Sequence, residues 1–233
     1  MPGIKIFATS LLVLALSSAP ASADPLPGCA NTFNGTDAAS CQLRSTDPVG
    51  LRFEKRVTGT SAQIRILAKD GSTAQTITEP IDGYAGSGVV LLQDLDGDGR
   101  DDLLLSLTTG GAHGNPDWAV WRAAGNSTQF QRVEGKLFGS EFWSAGDGYT
   151  AAYGSGGGWG VSFSKIENGA FVQVASVGRQ ATAGVPDPGS KPCSLQNSSN
   201  LDRYGLTKQT AEQKFCALAL PQLRARGLSD YSG

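Results

Sequence analysis

The chain predicts an all-β fold: antiparallel sheets in a propeller-like or sandwich arrangement, with a short C-terminal helix clipped on by a disulfide. Three observations carry this. Glycine supplies 31 of 233 residues, with 11 prolines and one methionine, so turns are favoured and long helices are not. Short apolar segments recur between turn signals, many alternating with period two. A helix-start signal is found only near the end, where Thr210 stands three residues before Gln213.

The elements follow in order. Residues 24–49 are rich in Ala, Asn, Asp and Ser and read as an irregular N-terminal segment. Leu51–Val57 and Ala62–Ala68 alternate apolar with polar residues, and Asp70-Gly71 signals a turn that Ala74–Thr78 leaves. Val89–Leu92 and Leu103–Leu107 are nearly continuous apolar runs, the pattern of strands buried on both faces. Trp118–Trp121 and Phe130–Val133 are further strands. Val161–Ile166 and Ala170–Ala175 flank Asn168-Gly169, a pair suited to a two-residue hairpin turn. Nine or ten strands result, in a β domain over 50–180. A Pro/Gly-rich linker follows over 181–192, then a helical tail over 193–233, with a helix starting near Ala211 and broken or kinked at Pro221.

Composition excludes several functions. With 39% hydrophobic and 17% charged residues the chain is not of the disordered type. A net charge of −2 offers no basic field for nucleic acid. The single histidine, His113, excludes a site built on two His ligands and reads as a loop residue. No G-x-S-x-G places a nucleophile, and Glu134, Glu141 and Asp147 lack the pattern of an acid/base pair, so an enzyme is not expected.

The N-terminus predicts export. Lys5 precedes an apolar run from Ile6 to Leu16, and Ala21-Ser22-Ala23 ends in small residues, which places a signal-peptide cut after Ala23. The run is too short to span a bilayer, so a secreted or periplasmic product without membrane insertion is expected. Cys29, Cys41, Cys193 and Cys216 suit an oxidising compartment. Three pairings exist on paper. The sequential one, Cys29 with Cys41 and Cys193 with Cys216, is favoured because each pair lies in its own local segment. Leu26-Pro27-Gly28-Cys29 also resembles a lipobox, in which Cys29 would carry lipid instead of a disulfide, although proline suits that position poorly.

The sharpest chemical signal is Asp94-Leu-Asp-Gly-Asp-Gly-Arg-Asp-Asp102. Calcium takes six to eight hard oxygens, and alternate residues of a tight loop aim theirs at one point. Asp94, Asp96, Asp98 and Asp102 are the expected side-chain ligands, Arg100 the expected carbonyl donor, and Gly99 the bend. Crowded carboxylates repel and raise one another's pKa, and a divalent cation relieves this. Apolar runs on both sides set the loop between strands rather than between the helices of an EF-hand. A structural role for Ca²⁺ is expected.

This loop, with its flanks over Val90–Leu105, resembles the FG-GAP/VCBS type of repeat, as do the Gly-rich Gly110–Asn115, Trp118–Trp121 and Phe130–Val133 that follow. The resemblance covers residues 89–134 and implies a calcium-binding β module, of a kind that also occurs in cell-surface adhesion and carbohydrate binding. A second resemblance is to single-loop periplasmic proteins that inhibit lysozyme-like glycoside hydrolases. Ser155-Gly156-Gly157-Gly158-Trp159 stands where their inhibitory loop lies, ahead of a hairpin. That likeness implies a protein partner contacted by Ser155, Gly156 and Trp159. A glycan is the alternative partner, with the four tryptophans as a possible sugar platform.

Overall fold

The computed structural model describes residues 25–33, 37–84, 86–109, 114–156, 158–182, 185–187 and 189–228, the backbone alone for 180–182 and 185–186. The expected signal peptide, its cut after Ala23, and His113 lie outside the described residues. The fold is mostly β, with three open antiparallel sheets and one long helix at the C-terminal end.

Each sheet is a contiguous stretch of chain. The first is a meander of β1 (Ser40–Arg44), β2 (Arg52–Thr58), β3 (Ser61–Leu67) and β4 (Thr73–Pro80). The second holds β5 (Val90–Gln93), β6 (Asp102–Ser106), β7 (Asp117–Arg122) and β8 (Gln131–Arg132), with β9 (Leu137–Phe138) also paired to β7. The third holds β10 (Glu141–Ser144), β11 (Tyr149–Ser155), β12 (Gly158–Glu167) and β13 (Ala170–Thr182). Both β14 (Val185–Pro186) and β15 (Ser194–Ser198) pair with β13. A 3-10 turn at Leu201–Tyr204 leads to α1 (Lys208–Ala225).

The sheets stack as layers, and side-chain alternation along single strands explains how. On β6, Leu103 and Leu105 join a core with Phe53, Ile64 and Ile66 of the first sheet. Leu104 points the other way, into a core with Phe142 and Ala152 of the third sheet. The middle sheet is therefore buried on both faces, which is why its strands read as unbroken apolar runs. On β11, Ala152 belongs to that second core, while Tyr149, Ala151 and Tyr153 face a third core shared with Phe215, Ala219 and Leu223 of α1. The order is first sheet, middle sheet, third sheet, helix. Each fully buried Leu, Ile or Phe contributes roughly 1.5–3 kcal/mol relative to exposure.

Several expected boundaries shift. The segment expected to be irregular over 24–49 contains β1, which pairs with β2 in register Cys41↔Lys55. The expected linker is partly sheet, because β13 runs to Thr182 and β14 returns on it. The expected tail is the fourth layer rather than an appendage, since it also donates β15 to the third sheet. The helix begins earlier than expected. Thr207 is its N-cap and exchanges hydrogen bonds with Thr210, so the cap pair is Thr207 with Thr210 and not Thr210 with Gln213. Pro221 does not end it, because the next turn seats Leu223 in the core. At Asn168-Gly169 both residues take positive φ, 51° and 79°, as a type I′ hairpin requires.

Both disulfides pair sequentially, Cys29 with Cys41 and Cys193 with Cys216. The first leaves Cys29 no thiol to lipidate and fastens the N-terminal segment to β1. The second fastens the start of β15 to α1. No helix among the described residues is long and apolar enough to cross a membrane.

Candidate metal centre

Residues 94–101 form the loop between β5 and β6, whose last pair in register is Gln93↔Asp102. Main-chain N–H groups orient the first carboxylate. Asp94 Oδ1 accepts Gly97 N at 2.7 Å and Oδ2 accepts Gly99 N at 2.9 Å. Gly97 and Gly99 take φ of 79° and 84°, which a side chain would strain. Asp96 Oδ1 accepts Asp98 N at 3.2 Å, and Asp98 Oδ1 accepts Arg100 N at 2.9 Å. A carboxylate offers about four lone-pair sites, so these bonds aim the groups without exhausting them.

Asp94, Asp96 and Asp102 bring ligand-capable oxygens within 4.8 Å of one another. Asp102, the first residue of β6, is fully buried. Its Oδ2 accepts Leu95 N at 3.1 Å, whereas Oδ1 is buried with no hydrogen-bond partner. Burial pushes the Asp102 carboxyl up to about 8, with the charges of Asp96 and Asp98 adding to it. Asp96 is also raised, by burial first, although the Arg122 guanidinium works against this. An orphaned buried oxygen on a carboxylate that groups with two others fits a hard divalent cation, which would replace the proton that burial otherwise imposes.

One expected ligand is placed differently. Asp98 falls outside the three-carboxylate group, and its Oδ2 accepts Arg122 Nη2 of β7 at 2.9 Å. Arg122 Nε also lies 2.5 Å from Asp96 Oδ2. The Arg100 side chain leaves the loop altogether and donates to Asp47 Oδ2, Gly125 O and Ser127 O. The expectation at Arg100 concerned its carbonyl, but its guanidinium has a separate task that the metal pattern hid.

That task is fastening the loop to the layers. Asp47, between β1 and β2, accepts Arg100 Nε at 3.0 Å and Asp101 N at 3.1 Å. Asp101 in turn accepts Thr46 N at 2.6 Å and Thr46 Oγ1 at 3.0 Å. On the other side, Thr150 Oγ1 of β11 donates to Leu95 O at 3.0 Å, and Gln93 Nε2 donates to Phe142 O at 2.6 Å. The loop therefore bonds to the first and third sheets as well as its own. Asp101 went unremarked in the sequence. Its signal was the Asp101-Asp102 doublet, since adjacent strand residues face opposite ways and one carboxylate must leave the cluster.

The glycine-rich loop lies elsewhere, at the turn between β11 and β12. Ser155 pairs in register with Trp159, and Gly156 N donates to Gly158 O at 3.0 Å. The buried Asn115 grips the main chain of Ser155 from both sides: its Nδ2 donates to Ser155 O, and its Oδ1 accepts Ser155 N at 3.2 Å. Beside this tip is a recess of about 600 Å³ whose lining includes Phe138, Gly156, Ser162 and Arg179. Phe138 is 60% exposed. Trp159, weighed as an aromatic anchor, is largely buried and belongs to the third core, and it also lines this recess. Trp118, Trp121 and Trp143 are buried too, so these three serve the core rather than a sugar platform. Of the carboxylates weighed for acid/base work, Glu141 pairs with Arg226 at 3.0 Å and Asp147 with Lys214 at 3.2 Å, both ties to the helical layer.

Fold and site together define a layered antiparallel β protein with an acidic hairpin loop at the junction of its sheets. No protein-family model and no curated protein matches the chain. A solved structure described as that of a Xanthomonas type IV secretion system related protein is similar at 12% identity and a TM-score of 0.43, over 73% of this chain and 93% of that one.

Proposed function

We propose that the chain is a secreted or periplasmic calcium-binding β protein of FG-GAP/VCBS type that works by occupancy rather than turnover. The observation that carries the metal is the buried Asp102 Oδ1, which lacks a partner in a group that includes Asp94 and Asp96. A buried carboxylate oxygen without a donor costs several kcal/mol in general, and a cation removes that cost. Asp94, Asp96 and Asp102 would hold the ion. When bound, calcium supplies charge and coordination that lock 94–102, and through Arg100, Asp101 and Leu95 the lock extends to the neighbouring sheets.

The partner we assign is a protein, a lysozyme-like glycoside hydrolase, engaged by the tip at Ser155 and Gly156. Support comes from the resemblance of that loop and from its preparation. Asn115 fixes the Ser155 main chain before any partner arrives, which reduces the ordering cost of binding. A glycan is the second reading, favoured by exposed Phe138 beside the polar recess, where a sugar ring would stack.

The test is calorimetric titration of chelator-treated protein with calcium, followed by titration of the loaded protein into a muramidase assay. One calcium site and stoichiometric loss of muramidase activity support the first reading. Calcium binding with glycan retention and undiminished muramidase supports the second. No calcium heat and identical melts with and without chelator would remove the metal.

A further inference from the structure

We infer that Arg122 is a built-in counter-cation of the acidic loop and that calcium displaces it. The inference rests on the calcium reading above. Arg122 stands on β7, beside β6 in the same sheet, and reaches along the sheet face to the loop. Its Nε lies 2.5 Å from Asp96 Oδ2 and its Nη2 lies 2.9 Å from Asp98 Oδ2. The guanidinium thus lies against two carboxylates of the motif: Nη2 donates to Asp98, whereas the buried Nε is in ion-pair contact with Asp96 without a well-formed hydrogen bond.

Asp96 is the residue both cations need. It shares the close group with Asp94 and Asp102, and it is also one anchor of Arg122. With the guanidinium beside Asp96, a dication entering the group meets a like charge next to one of its ligands. Like charges repel, and the repulsion is stronger where water is partly excluded than in bulk solvent. Calcium therefore binds more weakly while Arg122 stays on Asp96.

Arg122 also has somewhere to go. Its side chain is 33% exposed and borders a recess of about 340 Å³ toward Gln131 and Ile166, which none of the loop aspartates lines. Rotating off Asp96 moves the guanidinium toward solvent rather than into a core. The buried clamp of Arg100 on Asp47 is different: it has side chains 6% and 2% exposed and shares no carboxylate with the metal group. The loop thus carries one fixed arginine and one exchangeable one.

The exchange makes opposite predictions for the two states of the protein. Without calcium, Arg122 neutralises the loop and stabilises it. With calcium, it opposes the ion. Arg122→Gln should raise calcium affinity by roughly five- to a hundredfold, the usual range for coupled binding events. The same variant should melt lower than wild type in chelator and level with it in saturating calcium. Arg122→Lys keeps a charge without the guanidinium and should fall between the two, and it supplies the comparison if the glutamine variant folds poorly. Titration calorimetry and paired melts, with and without chelator, read both effects. Calcium heat in wild type with equal or weaker affinity in Arg122→Gln would overturn the exchange and leave the metal site standing. No calcium heat in wild type would overturn the metal site and the exchange with it.

Discussion

The carboxylate of Asp47 receives the Nε of Arg100 at 3.0 Å, with side chains only 2% and 6% exposed. Asp47 also accepts Val49 N, Gly50 N and Asp101 N. One aspartate thus closes the turn before β2 and holds the acidic loop of the next sheet. The pair lies between layers whose apolar contacts would tolerate sliding, and directional bonds fix their register. Burial pushes the Asp47 carboxyl upward, but the Arg100 hydrogen bond and the N–H groups of Asp101 and Gly50 outweigh it, and the net shift is downward.

Removing one partner of that pair should be costly. Asp47→Ala leaves the Arg100 guanidinium in a buried site with part of its bonding lost, and breaking such a pair costs about 3–5 kcal/mol. The loss should appear as a lower urea midpoint with an unchanged slope. Because the folded pKa of Asp47 is depressed, its contribution is full above the unfolded value and fades as pH falls through the folded one. Wild type and Asp47→Ala should therefore converge in stability in acid. A constant gap down to pH 2 would contradict the assignment.

Asp102→Asn should separate metal binding from folding. Near neutral pH the calcium-free carboxyl, pushed up to about 8, is largely protonated, and an amide of the same shape is a close mimic. The variant should lose calcium affinity by two orders of magnitude or more, since one of three charged ligands is gone. Its melt in chelator should stay within a few degrees of wild type. Calorimetry for the first quantity and thermal denaturation for the second check it.

How much of this was readable before the structure varies by element. The strands at 90–93 and 102–106 were legible because burial on both faces confines polar residues to their ends, at Gln93, Asp102 and Ser106. The hairpin at Asn168-Gly169 was legible because few other dipeptides take two positive φ values. β11 was not, although it is central to the third sheet. Thr150-Ala-Ala-Tyr-Gly154 has small residues where the layers approach closely, and small residues carry little periodic signal. The three-carboxylate group was visible as spacing, whereas the Asp47, Thr46 and Asn115 contacts lie 40 or more positions from their partners. Single-sequence periodicity does not reach that far.

The helical layer makes a separate stability prediction. Phe215 is fully buried, with its ring centroid 4.6 Å from Phe163 and 5.3 Å from Tyr149. Phe215→Ala should cost about 3–5 kcal/mol. The Cys193–Cys216 link holds α1 to β15 even so, and the variant should become far more sensitive to reductant than wild type. Melts with and without dithiothreitol give both numbers. Equal sensitivity would mean that the helix is held mainly by something other than this core.

An alkaline titration tests where the helical layer meets the third sheet. Tyr204 Oη donates to Glu167 Oε1 at 2.8 Å, and the phenol is pushed up to about 12, by burial first and by the Glu167 hydrogen bond and charge after it. A raised folded pKa means that the stabilisation is complete below about 10 and is lost as pH climbs toward 12. Absorbance near 295 nm should show a late-ionising tyrosine, and Glu167→Gln should bring it down. If the late phase is unchanged in Glu167→Gln, or no late phase is seen, the bond to Glu167 does not persist in solution.

Asn115 offers the cleanest route to the binding tip without touching the metal. Its side chain makes two hydrogen bonds to the Ser155 main chain, across 40 positions of sequence. Asn115→Ala removes both and leaves the Ser155 side chain in place. If the tip engages a hydrolase as proposed, the variant must order that turn on binding, and affinity should fall by about tenfold per 1.4 kcal/mol of ordering cost. Calcium affinity should be unchanged, because Asn115 touches none of Asp94, Asp96 or Asp102. Loss appearing mainly in the association rate would fit a tip that must first find its bound shape. Undiminished inhibition by Asn115→Ala, alongside loss on substituting Phe138, would instead move the contact surface to the recess and favour the glycan.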